Sequence, residues 1–126
     1  MTQSSAQKKL LVVEDAIEIQ VLLKKLLESE GYAVVCANNG QEALDVLAGG
    51  GGLPDLILLD LMMPVMDGMQ FRDRQLLDPK LARIPVVVMT ADGNVEAKSK
   101  RVNAAEFLKK PLDVDQLLEV IEKQFR

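Results

Sequence analysis

Residues 55–64 read DLILLDLMMP, and the reading of this stretch decides the fold. Four apolar residues, Leu56 to Leu59, run into a carboxylate, Asp60, before the chain turns apolar again. Two other short runs finish in the same manner. LLVVED at 10–15 closes on Glu14 and Asp15, and IPVVVMT at 84–90 closes on Thr90. Short runs rich in Leu, Ile and Val are what strands buried on both faces look like. A carboxylate inside such a core is costly unless it is paired. The polar residues therefore mark where each strand leaves the core, at its carboxyl end.

Working outward, the apolar runs alternate with helical patterns. KKLLVVED at 8–15 predicts the first strand. Ile19, Leu22, Leu23, Leu26 and Leu27 then recur at helical spacing, and the helix ends near Gly31. YAVVCA at 32–37 predicts the second strand. Asn39 is placed to cap GQEALDVLA, in which Ala43, Leu44 and Leu47 share a face, and the glycines 49–52 end that helix. After the third strand, DGMQFRDRQLLD at 67–78 predicts a helix with a poor apolar stripe. IPVVVMT is the fourth strand, NVEAKSKRVNA at 94–104 a weak helix, and AEFLKK at 105–110 the fifth strand. Val114, Leu117, Leu118, Ile121 and Phe125 line one face of a last helix, with Asp113 and Asp115 as its cap and first-turn acid.

Five strands alternating with five helices predict an α/β fold, a parallel sheet covered on both faces with right-handed crossovers. Such sheets bind ligands outside the carboxyl ends of their strands. Glu14, Asp15, Asp60, Thr90 and Lys110 all fall at those ends.

Composition narrows the function. The 126 residues suit one domain, expected over 9–126 behind a short flexible leader at 1–8. A net charge of −4 argues against direct contact with nucleic acid, which needs a basic surface. The chain has no histidine, which rules out a Ser-His-Asp triad, a histidine metal site and an internal phosphohistidine. Its one cysteine, Cys36, forms no internal disulfide and reads as a small core residue. No apolar run is long enough to insert into a membrane, and MTQSSAQKK lacks the apolar middle of a secretory signal, so the expected compartment is the cytoplasm.

Three carboxylates at one strand edge repel one another. A hard divalent cation such as Mg²⁺ resolves that conflict with oxygen ligands and retained waters. Lys110 adds a positive charge and Thr90 a hydroxyl. A carboxylate set among these groups suits phosphoryl transfer, with the aspartate as nucleophile.

The chain resembles the receiver domain of two-component response regulators. The pieces that carry the resemblance are LLVVEDA, GYAVVCANNGQEAL, PDLILLDLMMPVMDG, VVVMTA and AAEFLKKPL, in that order, over nearly the whole chain from about Lys9. The resemblance implies a flavodoxin-like, doubly wound sheet with strand order 2-1-3-4-5. It implies that Asp60 is the phosphoacceptor, and that Asp15, Asp60 and the Met62 backbone carbonyl bind Mg²⁺ (Mn²⁺ substituting), with Glu14 acting mainly through water. Thr90 would bond one phosphoryl oxygen. Lys110, the lysine directly before Pro111 in a bond often cis in the family, would pair with another. Phe107 takes the place of the switch aromatic, which swings inward as Thr90 moves. The implied partners are a sensor histidine kinase or histidine phosphotransfer protein and a downstream protein target. The domain would catalyse only its own phosphorylation and dephosphorylation. It would stand alone or be excised from a larger regulator or hybrid kinase. The weak stripe of NVEAKSKRVNA fits a switching element of low local stability. Two departures stand out: Asn103 replaces a usual glycine, which asparagine's tolerance of left-handed backbone can accommodate, and Phe107 lacks a tyrosine hydroxyl.

Blander readings fit the residues less well. Asp60 as a strand-end cap, and Glu14–Asp15 as helix-capping acids, leave the concurrence of five motifs unexplained. An aspartate-nucleophile phosphohydrolase typically carries a second Asp two residues after the nucleophile, where this chain has the proton-inert Met62. A flavin-binding domain needs a phosphate loop after the first strand, where EDAIEIQ places acids. The glycines 49–52 are not followed by Gly-Lys-Ser/Thr and precede a strand, so they are not a phosphate loop. A receiver-like domain that binds partners without phosphorylation is disfavoured by the intact set of acids, Thr and Lys.

Overall fold

The computed structural model describes residues 7–63, 65–91 and 103–125. Five strands, β1 (Lys9–Val13), β2 (Ala33–Ala37), β3 (Leu56–Asp60), β4 (Val86–Thr90) and β5 (Glu106–Lys109), form one parallel sheet in the order β2-β1-β3-β4-β5. The described helices are α1 (Ile17–Ser29), α2 (Gly40–Ala48), α3 (Gly68–Leu76), α4 (Pro79–Ala82) and α5 (Val114–Gln124). Sheet, order and layering are those expected. Residues 94–102 of the helix expected over 94–104 and the first six residues of the expected leader lie outside the described residues, and residues 103 and 104 are not helical. The short α4 was not expected. It follows Asp78, whose side chain accepts from the Lys80 N–H at 2.9 Å, with Pro79 at the first helical position where no donor is needed.

Strand alternation divides the core in two. Leu11, Val13, Ile57, Leu59, Val86 and Val88 pack with Ala43 and Leu47 of α2 and Phe71 of α3. Their alternate neighbours Leu10, Val12, Leu56, Leu58, Val87 and Met89 pack with Leu23 and Leu27 of α1 and Leu117 and Ile121 of α5. β1 and β3 need both sets, which is why they read as unbroken apolar runs. Asn39, Asp67 and Asp113 cap their helices, each accepting the N–H three residues on.

The poor stripe of α3 has a physical cause. Its buried face carries Phe71 together with Arg72 and Gln75. Gln75 donates to the carbonyls of Leu81 at 2.7 Å and Ile84 at 3.1 Å, satisfying the chain that leads into β4. Arg72 donates to Gln75 Oε1 at 2.8 Å and to the Asn103 carbonyl at 3.0 Å. Asn103 itself has φ of 54°, the left-handed backbone its side chain tolerates.

Replacing Gln75 by Leu leaves the buried Ile84 carbonyl without its side-chain donor, and removes one of two donors to the Leu81 carbonyl and one acceptor of Arg72. Urea unfolding of Gln75→Leu should show a loss of about 2–3 kcal/mol with the native sheet signal retained; unchanged stability would show that the network contributes nothing.

Candidate functional site

The site is assembled at the carboxyl ends of β1, β3, β4 and β5. The Glu14 N–H donates to the Ala37 carbonyl at 3.0 Å, so the sheet still holds the chain one residue past β1. Gln20 of α1 donates to the Glu14 carbonyl and, at 2.6 Å, to Asn38 Oδ1, clamping this turn from the helix side. The α1 N-cap is Ala16, with no side-chain cap. Glu14 Oε2 accepts the Ala16 N–H at 3.2 Å instead. Glu14 is fully buried, whereas the next residue, Asp15, is exposed.

Asp60 closes β3, paired in register with Met89, and is only 3% exposed. Its Oδ1 accepts the Met62 N–H at 3.1 Å. The start of α3 is pressed against it: a Cβ on Gly68 would lie 2.7 Å from the Asp60 carbonyl oxygen and 2.8 Å from Leu61 Cα. No other residue fits that contact without moving backbone.

Thr90 closes β4 and is fully buried; its carbonyl accepts the Lys110 N–H at 2.9 Å. That bond sets Lys110 just past β5, before a cis bond to Pro111. The Lys110 ammonium lies 2.6 Å from Glu14 Oε1 and 3.3 Å from Asp60 Oδ2. Carboxylate oxygens of Glu14, Asp15 and Asp60 lie within 4.8 Å of one another. Met62 is 60% exposed on the loop after β3, and Phe107, on β5, is 37% exposed. The structure thus brings Glu14, Asp15, Asp60 and Lys110 into one cluster; Thr90 is buried at the end of the strand next to β3, and Met62 and Phe107 are exposed.

Electrostatics follow from burial. Desolvation lifts the Glu14 carboxyl to about 7, against the hydrogen bonds from Lys110 and the Ala16 N–H, and the Asp60 charge adds to the rise. Burial pulls the Lys110 ammonium down, but the Glu14 hydrogen bond and the Asp60 charge outweigh it, so the net shift is upward. Among the described residues one cation faces three carboxylates, all-oxygen donors with one member open to solvent. That donor set fits a hard divalent cation.

Sequence reading missed two features here. Gln20 lies on the stripe of Leu23 and Leu27, and a polar residue on an apolar stripe is the signal that could have exposed it. Val65, on the loop after Asp60, has φ of 69° and is 81% exposed. A β-branched residue in left-handed backbone costs about 1–3 kcal/mol, and nothing in the sequence announces it.

Residues 10–122 match the family described as response regulator receiver domain. Sporulation initiation phosphotransferase F of Bacillus subtilis is 36% identical over 118 residues, covering 91% of each chain. Among solved structures, chemotaxis protein CheY4 of Vibrio cholerae superposes with a TM-score of 0.85 at 31% identity, over 94% of this chain and 98% of that one. Response regulator protein TrrA of Thermotoga maritima, solved in complex with Mg²⁺-BeF, gives 0.82 at 31% identity, over 94% and 99%. Several other curated relatives are longer, and the chain spans half or a quarter of their length.

The raised Glu14 value makes folding take up a proton. In metal-free buffer the folded carboxyl stays protonated up to about pH 7, while the unfolded one ionises near the ordinary 4.5. Stability should therefore fall as pH rises between those values, by about 3 kcal/mol, and level off above. Urea unfolding from pH 4.5 to 8 in chelator checks this. Glu14→Gln should flatten that slope, and an unchanged slope would contradict the assignment.

Proposed function

The chain belongs to the response regulator receiver domain family, a two-component signalling module, and from that premise we propose that Asp60 is its phosphoacceptor. The observation that carries this is the Lys110 ammonium shared by Glu14 and Asp60 within a cluster of three carboxylates at the sheet edge. A sensor histidine kinase, or a histidine phosphotransfer protein, presents a phosphorylated imidazole. An Asp60 oxygen attacks phosphorus, the P–N bond breaks as the P–O bond forms, and the imidazole leaves with its electron pair and takes up a proton. Glu14, Asp15, Asp60 and the Met62 carbonyl would hold Mg²⁺, or Mn²⁺ in its place, directly or through water. When bound, that ion supplies charge neutralisation for the phosphoryl oxygens. Response regulator protein TrrA, similar in fold and solved in complex with Mg²⁺-BeF, supports this reading.

Lys110 pairs with a second phosphoryl oxygen and gives up part of its contact with Asp60. The Thr90 hydroxyl bonds a third oxygen. Phe107, half-exposed beside Thr90 in the register Val88–Phe107 and Thr90–Lys109, turns inward as Thr90 moves. The acyl phosphate adds close to two negative charges. A face for a downstream protein changes in response. Water later cleaves the acyl phosphate, so the domain acts on itself and turns over no other substrate. The unit runs over 9–126 and works in the cytoplasm, where sensor kinases present their phosphohistidine. It acts alone or as the receiver of a longer regulator or hybrid kinase, a second reading favoured by the greater length of several relatives.

Acetyl phosphate with Mg²⁺ tests the proposal. Intact-mass spectrometry should show one phosphoryl group on the wild type and none on Asp60→Asn; equal labelling of both would defeat it. Asp15→Asn should weaken Mg²⁺ binding by at least about tenfold in calorimetric titration, and unchanged affinity would remove Asp15 from the metal site.

A further inference from the structure

Two of the three clustered carboxylates are held by bonds of their own. Glu14 accepts from Lys110 and the Ala16 N–H, and Asp60 from Lys110 and the Met62 N–H. Asp15 lacks such a hold: among the described residues its carboxylate has no hydrogen bond or ion pair, and the residue is exposed. Its backbone therefore sets where it stands. The peptide in front of it joins Glu14 to Asp15, and the carbonyl of that peptide belongs to a fully buried residue. Gln20 Nε2 donates to this carbonyl from α1. A buried carbonyl deprived of its donor is costly, and the peptide turns to find another.

The same amide is anchored beyond the site. Its nitrogen also donates to Asn38 Oδ1 at 2.6 Å, with the Ala37 carbonyl farther off at 3.4 Å. The Asn38 side-chain nitrogen donates in turn to both carboxylate oxygens of Glu42, at 3.1 and 3.0 Å, and the Asn38 N–H donates to Glu42 Oε1 at 3.1 Å. Glu42 lies in the first turn of α2. A continuous line of hydrogen bonds thus runs from α2, through the residue after β2 and through α1, to the peptide in front of Asp15. We infer that Gln20 is a positioning residue for the divalent cation: it fixes the Glu14–Asp15 peptide, and through it the Asp15 carboxylate, and so sets the affinity of the site for Mg²⁺. The inference rests on the reading of Asp15 as a metal ligand.

Calorimetric titration of the purified chain with Mg²⁺ tests it, with urea midpoints in chelator measured alongside. Gln20→Met keeps the length of the side chain and removes its donors. It should bind Mg²⁺ about tenfold more weakly than wild type, the lower end of what losing a partner behind a metal ligand costs. Asn38→Ala frees only the far end of the amide and should weaken binding roughly threefold. Gln75→Leu, destabilised away from the acids, should bind Mg²⁺ as wild type does. Unchanged affinity in Gln20→Met would overturn the inference, and if that variant does not fold, unchanged affinity in Asn38→Ala would do so. Equal weakening in Gln75→Leu would also overturn it, because lost stability alone would then account for the effect. Wild type that binds no Mg²⁺, or binds it equally well after Asp15→Asn, would overturn the metal reading and the inference with it.

Discussion

One ammonium group holds the carboxyl edge of the sheet together. Lys110 Nζ reaches both Glu14 and Asp60, on strands that would otherwise present only like charges to each other. Breaking a buried pair of this kind leaves an uncompensated charge and is far more costly than losing a surface contact. The rest of the architecture serves to bring that lysine and those acids within reach. β1 and β3 lie side by side in the middle of the sheet, β4 carries Thr90, and the Thr90 carbonyl fixes the backbone of Lys110. The residue set leaves the balance negative, a donor set that suits a hard divalent cation.

What the sequence revealed depended on whether a residue acts through pattern or through contact. The parallel sheet was legible because Leu56 to Leu59 and Val86 to Met89 must satisfy two cores at once, and that demand appears as unbroken apolar runs. Glu14, Asp15, Asp60, Thr90 and Lys110 were legible because each follows such a run. Of the two lysines that follow β5, Lys110 is the one whose ammonium lies among the carboxylates, while Lys109 is exposed. The burial of α3 was not legible. Arg72 and Gln75 look like solvent residues, and only the carbonyls they satisfy, distant in sequence, explain why they are inside. The two acids also read as helix caps, yet the N-cap of α1 is Ala16, without a side-chain cap, and Glu14 divides its oxygens between the Ala16 N–H and Lys110.

The site is also coupled to the helices by distance of approach. Gly68 lets α3 begin against the Asp60 carbonyl, and Gln20 ties α1 to the turn that carries Glu14.

The opposite end of the sheet has its own lysine. Lys9 Nζ donates to the carbonyls of Gly51 at 3.1 Å and Gly52 at 3.0 Å, and Gly50 and Gly52 adopt φ of 78° and 91°. This bears on what variation the chain can absorb over evolutionary time. An insertion within β3 would shift Asp60 off the edge and exchange the residues facing the two cores. The glycine loop, exposed and away from the acids, accepts a change of length without disturbing either, and a lysine that binds backbone carbonyls is indifferent to the side chains that arrive there. Freedom to vary is thus concentrated at one end of the sheet, and the other end is held fixed.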